Sequence, residues 1–515
     1  MPSDGKADGG RTKGASGVKN YPGFVLVAAA VLTWAFIHGM VQPDDVGWQF
    51  WIARQILGGS KLYTEIWDLN PPLWFWSAMP LEWLSQRTGI AWGTLLTGVV
   101  VLLGTVCAWL TAHLLNPRTE PERLAIMLLV FAMTVIMPAA LTGQRDQLVL
   151  IVSLPYASLI ARRRAGVATA PMLAVGVAVL AAYGFALKPH FLAAPLLLEG
   201  WVMVHQRGRW RPWRPELIVL AVLALAYAVA VAMLARGLFT VILPMADAGY
   251  FAVQASLVFT LIKPYVVFWA IAGLFLWVTR REALRAVSPA TEAALPAMLL
   301  VWLGFAISYV VQKQGWDYHA IPATGAMAVA LGLRVMRRRA PRDLALGGAL
   351  LAAVVALMFP YRPARAPEDP LLDKVAPGEG VFIANFDASA VFRRGRENIA
   401  WVSRNYSLRI VYAIAVAEAQ GRTSPALKRL EGQLLAAMSE DIRCNPPQLI
   451  VMQASPGIPG RGGAFSFDEF MLRDPVLRAF IAAHYAPPSR EPIGTVYWRR
   501  GPVARVEGLA CREIF

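Results

Sequence analysis

Eleven apolar segments occupy most of the first 360 residues of this chain, and each approaches the length that a helix needs to cross a bilayer. Inside hydrocarbon every backbone polar group must be bonded within the chain, so such segments fold as helices. The shortest fall below the ~17–25 residues of a straight span and suggest tilted or partial helices. The sequence therefore predicts a polytopic α-helical membrane protein with about eleven transmembrane helices. The segments lie at residues 21–41, 93–115, 124–141, 147–161, 171–187, 190–205, 216–235, 264–279, 293–311, 319–333 and 343–359.

The distribution of charge follows the same topology. The chain has 49 Lys and Arg against 33 Asp and Glu, a formal net charge of +16, which in a soluble protein would suggest nucleic-acid binding. If the N-terminus is cytoplasmic, the inner loops carry 21 Lys and Arg, the outer loops carry 8, and the other 20 follow Phe359. Because cytoplasmic loops are enriched in Lys and Arg, orientation explains this excess. No nucleic-acid partner is predicted.

The polar residues 1–20 predict a cytoplasmic arm, followed by a multi-span membrane domain at 21–359. The first apolar run is too long for a signal-peptide core and no A-x-A cleavage site follows it, so we interpret it as a retained anchor. The first outer loop covers about 42–92. An odd number of spans places everything after residue 359 on the outer side.

From residue 360 the apolar runs shorten and their periodicity changes. Residues 380–385, 448–453 and 494–499 have the pattern of short buried strands, with amphipathic helices predicted between them at 413–419, 426–442 and 468–484. Residues 360–515 therefore predict a small extracytoplasmic α/β soluble domain.

The three cysteines predict no metal site. Cys107, Cys444 and Cys511 form no CxxC or Cys/His cluster, so no structural metal is predicted. Cys107 lies in a predicted span. Cys444 and Cys511 lie on the side where disulfides persist, and although two free thiols also fit the sequence, the oxidising compartment favours a bridge.

Ionisable residues of the membrane domain gather at the predicted outer face. Such groups are costly in a membrane and therefore mark functional sites. The inner loops hold mainly Arg, Pro and a few acids, as orientation alone requires. The outer clusters are Asp44-Asp45, Gln144-Arg145-Asp146, Lys188-Pro189-His190 and the run Gln312-Lys313-Gln314-Gly315-Trp316-Asp317-Tyr318-His319.

Each cluster also has a structural interpretation. The acidic pair fits a solvated helix cap, and the Trp-rich residues after it predict an amphipathic helix that lies in the membrane interface. Arg145 fits an ion pair with Asp146 or Asp44, and Lys188 fits a residue whose amine reaches the interface from the membrane edge. Trp316 and Tyr318 fit the belt of aromatic residues that lies at a membrane–water interface.

Together the clusters fit the transfer of a sugar from a polyprenyl-phosphate donor. The lipid phosphate leaves as an anion that cationic donors stabilise, and the hydroxyl acceptor needs a carboxylate base. The absence of a GxxxxGK[ST] sequence gives no support for ATP or nucleotide-sugar use. Candidate catalytic acids are Asp44 and Asp45; candidate phosphate-binding residues are Arg145, Lys188, His190, Lys313 and His319; candidates for the sugar or acceptor pocket are Trp48, Asp68, Trp316 and Tyr318.

The first outer loop resembles that of the GT-C membrane glycosyltransferases, the superfamily of the protein O-mannosyltransferases and the lipid A aminoarabinose transferase. The resemblance covers roughly residues 20–360, and the segment from Gln312 to His319 is similar to one in bacterial members with a soluble tail. The residues that carry it are Asp44-Asp45, then Ala53-Arg54-x-Ile56-Leu57-x-Gly59, Leu62-Tyr63 and Pro71-Pro72-Leu73.

The resemblance implies an inverting transferase with an acid of the first outer loop as base, and Asp44, the leading acid, is the first choice. Better characterised branches carry Asp-Glu where this chain has Asp44-Asp45. Some members bind a divalent cation, but no His/Asp spacing here demands one, so no cofactor is required. The predicted partners are the bilayer, the polyprenyl-phosphate sugar and a glycan, lipid or protein acceptor at the outer face of the bacterial inner membrane.

Two other classes of protein make different predictions. A polyprenyl-lipid or glycan transporter, such as a flippase, predicts midplane acids and helices related by a repeat. Only Glu199 is a candidate midspan acid, and no repeat is visible. A scaffold or receptor predicts that the outer acids are dispensable.

Overall fold

A computed structural model describes residues 22–38, 42–248, 256–281, 285–338, 341–358, 369–385, 390–392, 398–455 and 465–504, together with 506, 509 and 511. The predicted cytoplasmic arm at 1–20 and the predicted boundary at 360 lie outside the described residues. The described part is mostly helical, with one six-stranded sheet near its C-terminal end.

The membrane part is built from fifteen described helices, joined by short 3-10 and π-helical turns. They are α1 Pro22–His38, α2 Asp44–Leu57, α3 Pro72–Thr88, α4 Trp92–Leu115, α5 Glu120–Phe131, α6 Arg145–Arg164, α7 Pro171–Ala186, α8 Ala193–Gln206, α9 Pro215–Leu234, α10 Leu243–Ala248, α11 Leu257–Leu261, α12 Pro264–Val278, α13 Pro289–Gln312, α14 Ile321–Met336 and α15 Pro341–Met358.

Four of the described helices are long and apolar enough to cross a membrane. They are Trp92–Leu115, Pro215–Leu234, Pro289–Gln312 and the stretch Asp317–Met336. Shorter apolar helices occur at Gly23–Ala35, Pro171–Ala186 and Leu238–Asp247. The predicted segment at 124–141 is not one regular helix: α5 ends at Phe131, a π-helical turn follows, and Pro138, which has no backbone N–H, precedes a 3-10 turn.

Burial divides these helices into a centre and a periphery. Every residue of α14 from Ile321 to Val335 is buried, as is α6 from Arg145 to Ala161. In α9, by contrast, only Glu216 and Val231 are buried, although the helix is apolar from Leu217 onward apart from the Tyr227 hydroxyl. An apolar helix that exposes its side chains is stable only in a lipid environment. The structure therefore has a helical core surrounded by a lipid-facing layer.

The C-terminal residues form the sheet and its covering helices. The sheet has the order β2-β1-β3-β6-β5, with β1 parallel to β2 and β3, β6 antiparallel to β3 and β5, and β4 paired with β3. The elements are α16 Asp369–Leu372, β1 Gly380–Ala384, β2 Ala400–Trp401, α17 Arg409–Ala419, α18 Pro425–Cys444, β3 Leu449–Ser455, β4 Phe465–Ser466, α19 Phe467–Met471, α20 Pro475–His484, β5 Ser489–Glu491 and β6 Gly494–Trp498.

The three predicted strands are confirmed as β1, β3 and β6. The single helix predicted at 468–484 is wrong, because the chain forms α19 and then α20. Asp474 caps the N-terminus of α20 and Pro475 occupies its first turn, so the two residues start a new helix. The predicted bridge between Cys444 and Cys511 is confirmed, and Cys107 is a buried free thiol.

Helix α2 packs against the C-terminal part at a glycine. A Cβ atom on Gly47 would lie 1.7 Å from the backbone oxygen of Phe392. Trp48, the next residue, contacts the Phe392 ring edge-on, with ring centroids 5.1 Å apart. Only glycine allows the backbones to approach this closely.

We expect Gly47→Ala to destabilise the protein by about 1–3 kcal/mol, because the added methyl group forces α2 away from residues 390–392. Thermal unfolding of the purified protein measures this. Gly176→Ala in α7 is the matched control, since a Cβ there meets nothing within 4 Å. Equal melting temperatures for the two variants would contradict the close packing.

Candidate active site

The acidic pair lies in the first turn of α2, after the non-helical residues Gln42 and Pro43. Acidic side chains are common in the first turn of a helix, where the backbone N–H groups carry partial positive charge. Asp45 Oδ1 accepts a hydrogen bond from the Tyr406 hydroxyl at 2.7 Å, and Asp45 Oδ2 accepts one from Gln144 Nε2 at 3.4 Å. Asp44 and Asp45 are both half-buried. The predicted helix after the acids is confirmed, but the C-terminal part and α3 cover it.

Tyr406 keeps its proton at this position. Burial raises the pKa of the Tyr406 hydroxyl well above its usual value, and the carboxylates of Asp45 and Asp44 raise it further. A phenol with a raised pKa remains a hydrogen-bond donor throughout the physiological pH range. In the hydrogen bond to Asp45, a neutral phenol is therefore the donor and the carboxyl group is the acceptor.

Arg145 is the first residue of α6 and is buried. Its guanidinium donates to the side-chain oxygen of Asn70 and lies 4.2 Å from the centre of the Trp74 ring. Asn70 belongs to the turn between α2 and α3, and Trp74 lies in the first turn of α3. The suggested ion pairs of Arg145 with Asp146 or Asp44 are not among its contacts.

Lys188 lies between α7 and α8 and is also buried. Its Nζ donates to Asp146 Oδ2 at 2.7 Å and to Gln312 Oε1 at 3.3 Å, and it lies 5.6 Å from the centre of the Tyr318 ring. The interpretation of Lys188 as a residue that extends to the interface is wrong, because Asp146 holds its amine inside the protein.

The acids and the cations share one site. Lys188 lies close enough to Asp45 and Arg145 for their charges to act on it. His319 is in turn within reach of the charges of Lys188, Arg145, His190 and Arg409. The structure therefore brings together four of the predicted phosphate-binding residues, Arg145, Lys188, His190 and His319, with the acidic pair at one end of the helical core.

Several buried polar atoms of this cluster have no hydrogen-bond partner among the described residues. Buried polar groups are nearly always hydrogen-bonded, so such a concentration marks a place where water or a ligand binds. The nitrogens suit a phosphate and the oxygens suit hydroxyl groups. The atoms are Trp74 Nε1, Gln144 Oε1, Arg145 Nε, Asp146 Oδ1, His190 Nε2 and His319 Nδ1.

Other predicted site residues lie elsewhere or are packed inside the protein. Lys313 is exposed at the C-terminal cap of α13. Trp48 is only 1% exposed and donates to Asp68 Oδ2 at 2.7 Å. Burial raises the pKa of the Asp68 carboxyl, although a backbone hydrogen bond from Asn70 and the bond from Trp48 act in the opposite direction. Trp48 and Asp68 therefore support the first outer loop, and we do not carry them forward as sugar-binding residues.

Trp316 and Tyr318 lie beside the cluster of cations and acids. Their rings stack with centroids 6.3 Å apart. The Arg409 guanidinium of α17 lies 4.5 Å from the centre of the Trp316 ring, and Tyr318 is next to Lys188. The two rings can therefore form one wall of a sugar pocket.

Several residues of the site were not identified as site residues from the sequence. Asp146, Gln144 and Gln312 belong to clusters that the sequence singled out, so their neighbours gave a signal. Asn70 was visible only as part of a turn. Tyr406 gave none, because it lies 361 residues from Asp45 in the chain. Within the described ranges, no three His, Cys, Asp or Glu side chains are grouped as a metal site would need.

One solved structure supplies a comparison for this arrangement. The crystal structure of ArnT from Cupriavidus metallidurans bound to undecaprenyl phosphate aligns with a TM-score of 0.54 over 95% of this chain and 99% of that chain, at 14% sequence identity. No protein-family model matches the sequence, and no curated protein matches it either. At this identity the likeness shows a shared fold: the protein has an ArnT-like helical fold.

Proposed function

We propose that the protein is an inverting membrane glycosyltransferase that moves a sugar from a polyprenyl-phosphate donor to a hydroxyl acceptor. The observation that carries the proposal is the site itself, where the buried cations Arg145 and Lys188 lie close to the acidic pair and several buried polar atoms have no hydrogen-bond partner in the described part of the chain. The fold shared with ArnT, whose crystal structure contains undecaprenyl phosphate, supports this donor class.

The donor phosphate fits the cationic side of the site. Arg145 and Lys188 are held in place by Asn70 and Asp146, so they are already oriented before a ligand binds. Prepositioned cations stabilise the charge that develops on a departing phosphate. His190 and His319 contribute further nitrogens, whereas we leave the exposed Lys313 out of the set.

The acceptor is activated on the acidic side. In the proposed reaction Asp44 takes the proton from the acceptor hydroxyl, and the acceptor oxygen attacks C1 of the sugar. The bond from C1 to the phosphate oxygen breaks, and the polyprenyl phosphate leaves with the electron pair. We assign the base to Asp44 because it is the leading acid of the pair, and we give Asp45, which accepts hydrogen bonds from Tyr406 and Gln144, a supporting role. The acceptor is a glycan, lipid or protein, and no cofactor takes part in these steps, although a divalent cation is compatible with the family.

A transporter or flippase is the second candidate class, and no observation favours it. Glu199, the one candidate midspan acid, accepts a hydrogen bond from the Tyr156 hydroxyl at 2.9 Å and pairs with Arg214. Protein side chains thus satisfy this carboxylate, as expected for a structural acid.

The proposal includes a topology: about eleven spans in the bacterial inner membrane, a cytoplasmic N-terminus and a periplasmic α/β domain at 360–515. Helix α9, apolar and exposed, supports the membrane setting. The excess of Lys and Arg in the predicted inner loops supports the orientation.

Two single cysteines test this orientation in intact cells. We expect a membrane-impermeant maleimide to label Lys428→Cys on α18 but not Ala168→Cys in the loop after α6, since both sites are exposed and only the first is predicted to be periplasmic. The native cysteines stay silent because one is buried and two are bonded to each other. Labelling of Ala168→Cys in intact cells would contradict the topology.

The function is tested by deleting the gene and analysing both the surface glycans and the polyprenyl-linked sugars by mass spectrometry. We expect one sugar to disappear from a surface molecule and its polyprenyl-phosphate form to accumulate, with both changes reversed by the wild-type gene. Unchanged glycans and unchanged donor lipids would contradict the proposal.

A further inference from the structure

The C-terminal part of the chain reaches the acidic pair through one short segment, residues 401–409. Trp67 of the first outer loop donates its backbone N–H to the Arg404 oxygen at 2.8 Å, and Trp67 forms a parallel bridge with Asn405. The Arg404 guanidinium lies 5.4 Å from the centre of the Trp67 ring. The segment is therefore attached by its backbone to the loop that follows α2.

Contacts with α18 also hold this segment in place. Arg404 donates to Asp441 Oδ1 at 2.8 and 2.9 Å and to Glu440 Oε2 at 2.6 Å, both on α18. The indole N–H of Trp401 donates to the Asn405 oxygen at 3.1 Å. A segment held at both sides presents its side chains in one orientation, as a positioning group requires.

Tyr406 belongs to this segment, and its hydroxyl reaches the acidic pair at Asp45. Its ring stacks on Trp48 with centroids 5.4 Å apart, and its hydroxyl donates to Asp45 at 2.7 Å. Phe392 contacts the same ring, with centroids 5.5 Å apart. Packing on two sides restricts the ring, so its hydroxyl fixes the orientation of the Asp45 carboxylate.

We propose that the C-terminal part completes the active site, with Tyr406 as a positioning residue that orients the acidic pair through Asp45. This inference rests on the proposed function. Arg409, three residues further along the chain at the start of α17, makes a second contact with the site by lying over Trp316. The same segment therefore contacts both the acidic pair and the predicted sugar wall, and it can hold the two in one arrangement.

The test uses Tyr406→Phe in the full-length protein, because this change keeps the stacked ring and removes only the hydroxyl. We expect kcat to fall about ten- to a hundredfold, the effect of losing one hydrogen bond to a charged group. The KM for the donor should stay within about twofold, since the phosphate-binding side chains are unaltered. The assay follows the release of polyprenyl phosphate from sugar-linked lipid extracted from the deletion strain.

Tyr497→Phe is the matched control. The Tyr497 hydroxyl donates to Asp468 Oδ1 at 2.7 Å, the same kind of bond in the same domain, but between β6 and α19. We expect this variant to keep the wild-type kcat. Equal losses in the two variants, or a normal kcat in Tyr406→Phe, would overturn the role of Tyr406 while the wild type remains an active transferase. A wild type without transferase activity would instead contradict the proposed function, and this role with it.

Discussion

Asp44→Asn should lower turnover by roughly 10²–10⁴ with little change in folding or in donor affinity. The substitution keeps the size and shape of the side chain but removes the group that accepts the acceptor's proton. It lies in the first turn of α2, whereas the hydrogen bonds that hold Arg145 and Lys188 are made by Asn70, Asp146 and Gln312. The measurement is the single-turnover rate with bound donor, together with the donor dissociation constant.

Asp45→Asn is the matched variant, because the two acids are neighbours with different partners. Asparagine at position 45 still accepts the hydrogen bond from Tyr406, so we expect a smaller loss than at position 44. Near-normal turnover in Asp44→Asn with abolished turnover in Asp45→Asn would exchange the two roles. If both variants stay active, the transferase mechanism is wrong.

Loss of the buried cations should weaken binding of the donor about ten- to a hundredfold for each charged hydrogen bond, or on the order of 1.5–3 kcal/mol. Arg145→Gln removes one charge and keeps a donor for Asn70. Lys188 must be changed together with its partner, as Lys188→Gln/Asp146→Asn, because an unpaired buried carboxylate would destabilise the fold. Equilibrium binding of undecaprenyl phosphate to the purified protein measures the effect.

Lys263→Gln is the control for these variants. Lys263 is another cation of a predicted outer loop, but it lies 4.2 Å from the centre of the Phe259 ring rather than in the cluster. We expect Lys263→Gln to bind undecaprenyl phosphate with the wild-type affinity. If Arg145→Gln and the double variant also bind undecaprenyl phosphate normally, the cluster is structural and the phosphate site lies elsewhere.

The sequence was informative wherever local patterning decides structure. The helix that follows Asp44-Asp45 and the strands β1, β3 and β6 are local patterns, and the structure has them. Arg145, Lys188, His190 and His319 were found together because charges in a membrane domain are few and lie close to helix ends. The helical break at Pro475 was missed because apolar periodicity continues across it.

What the sequence could not provide are the pairings between distant segments. The alternative interpretation of Lys188 placed its amine at the interface, and only the fold shows that Asp146 on a neighbouring helix binds it. Trp48 was expected at a sugar pocket, but Asp68 and the C-terminal aromatic rings bury it. Tyr406 lies in the predicted soluble domain, outside the clusters of ionisable residues, so no local pattern connects it with Asp45.

The most direct test of the account is whether the protein cleaves a polyprenyl-phosphate sugar or only binds it. Purified wild-type protein and Asp44→Asn are incubated in vesicles with the sugar-linked lipid and membrane acceptors from the deletion strain, and the lipids are followed by mass spectrometry. We predict that the wild type converts the sugar-linked lipid into free polyprenyl phosphate and that Asp44→Asn binds it without conversion. Binding or movement of the intact lipid by the wild type, with no polyprenyl phosphate released, would contradict the proposed transferase.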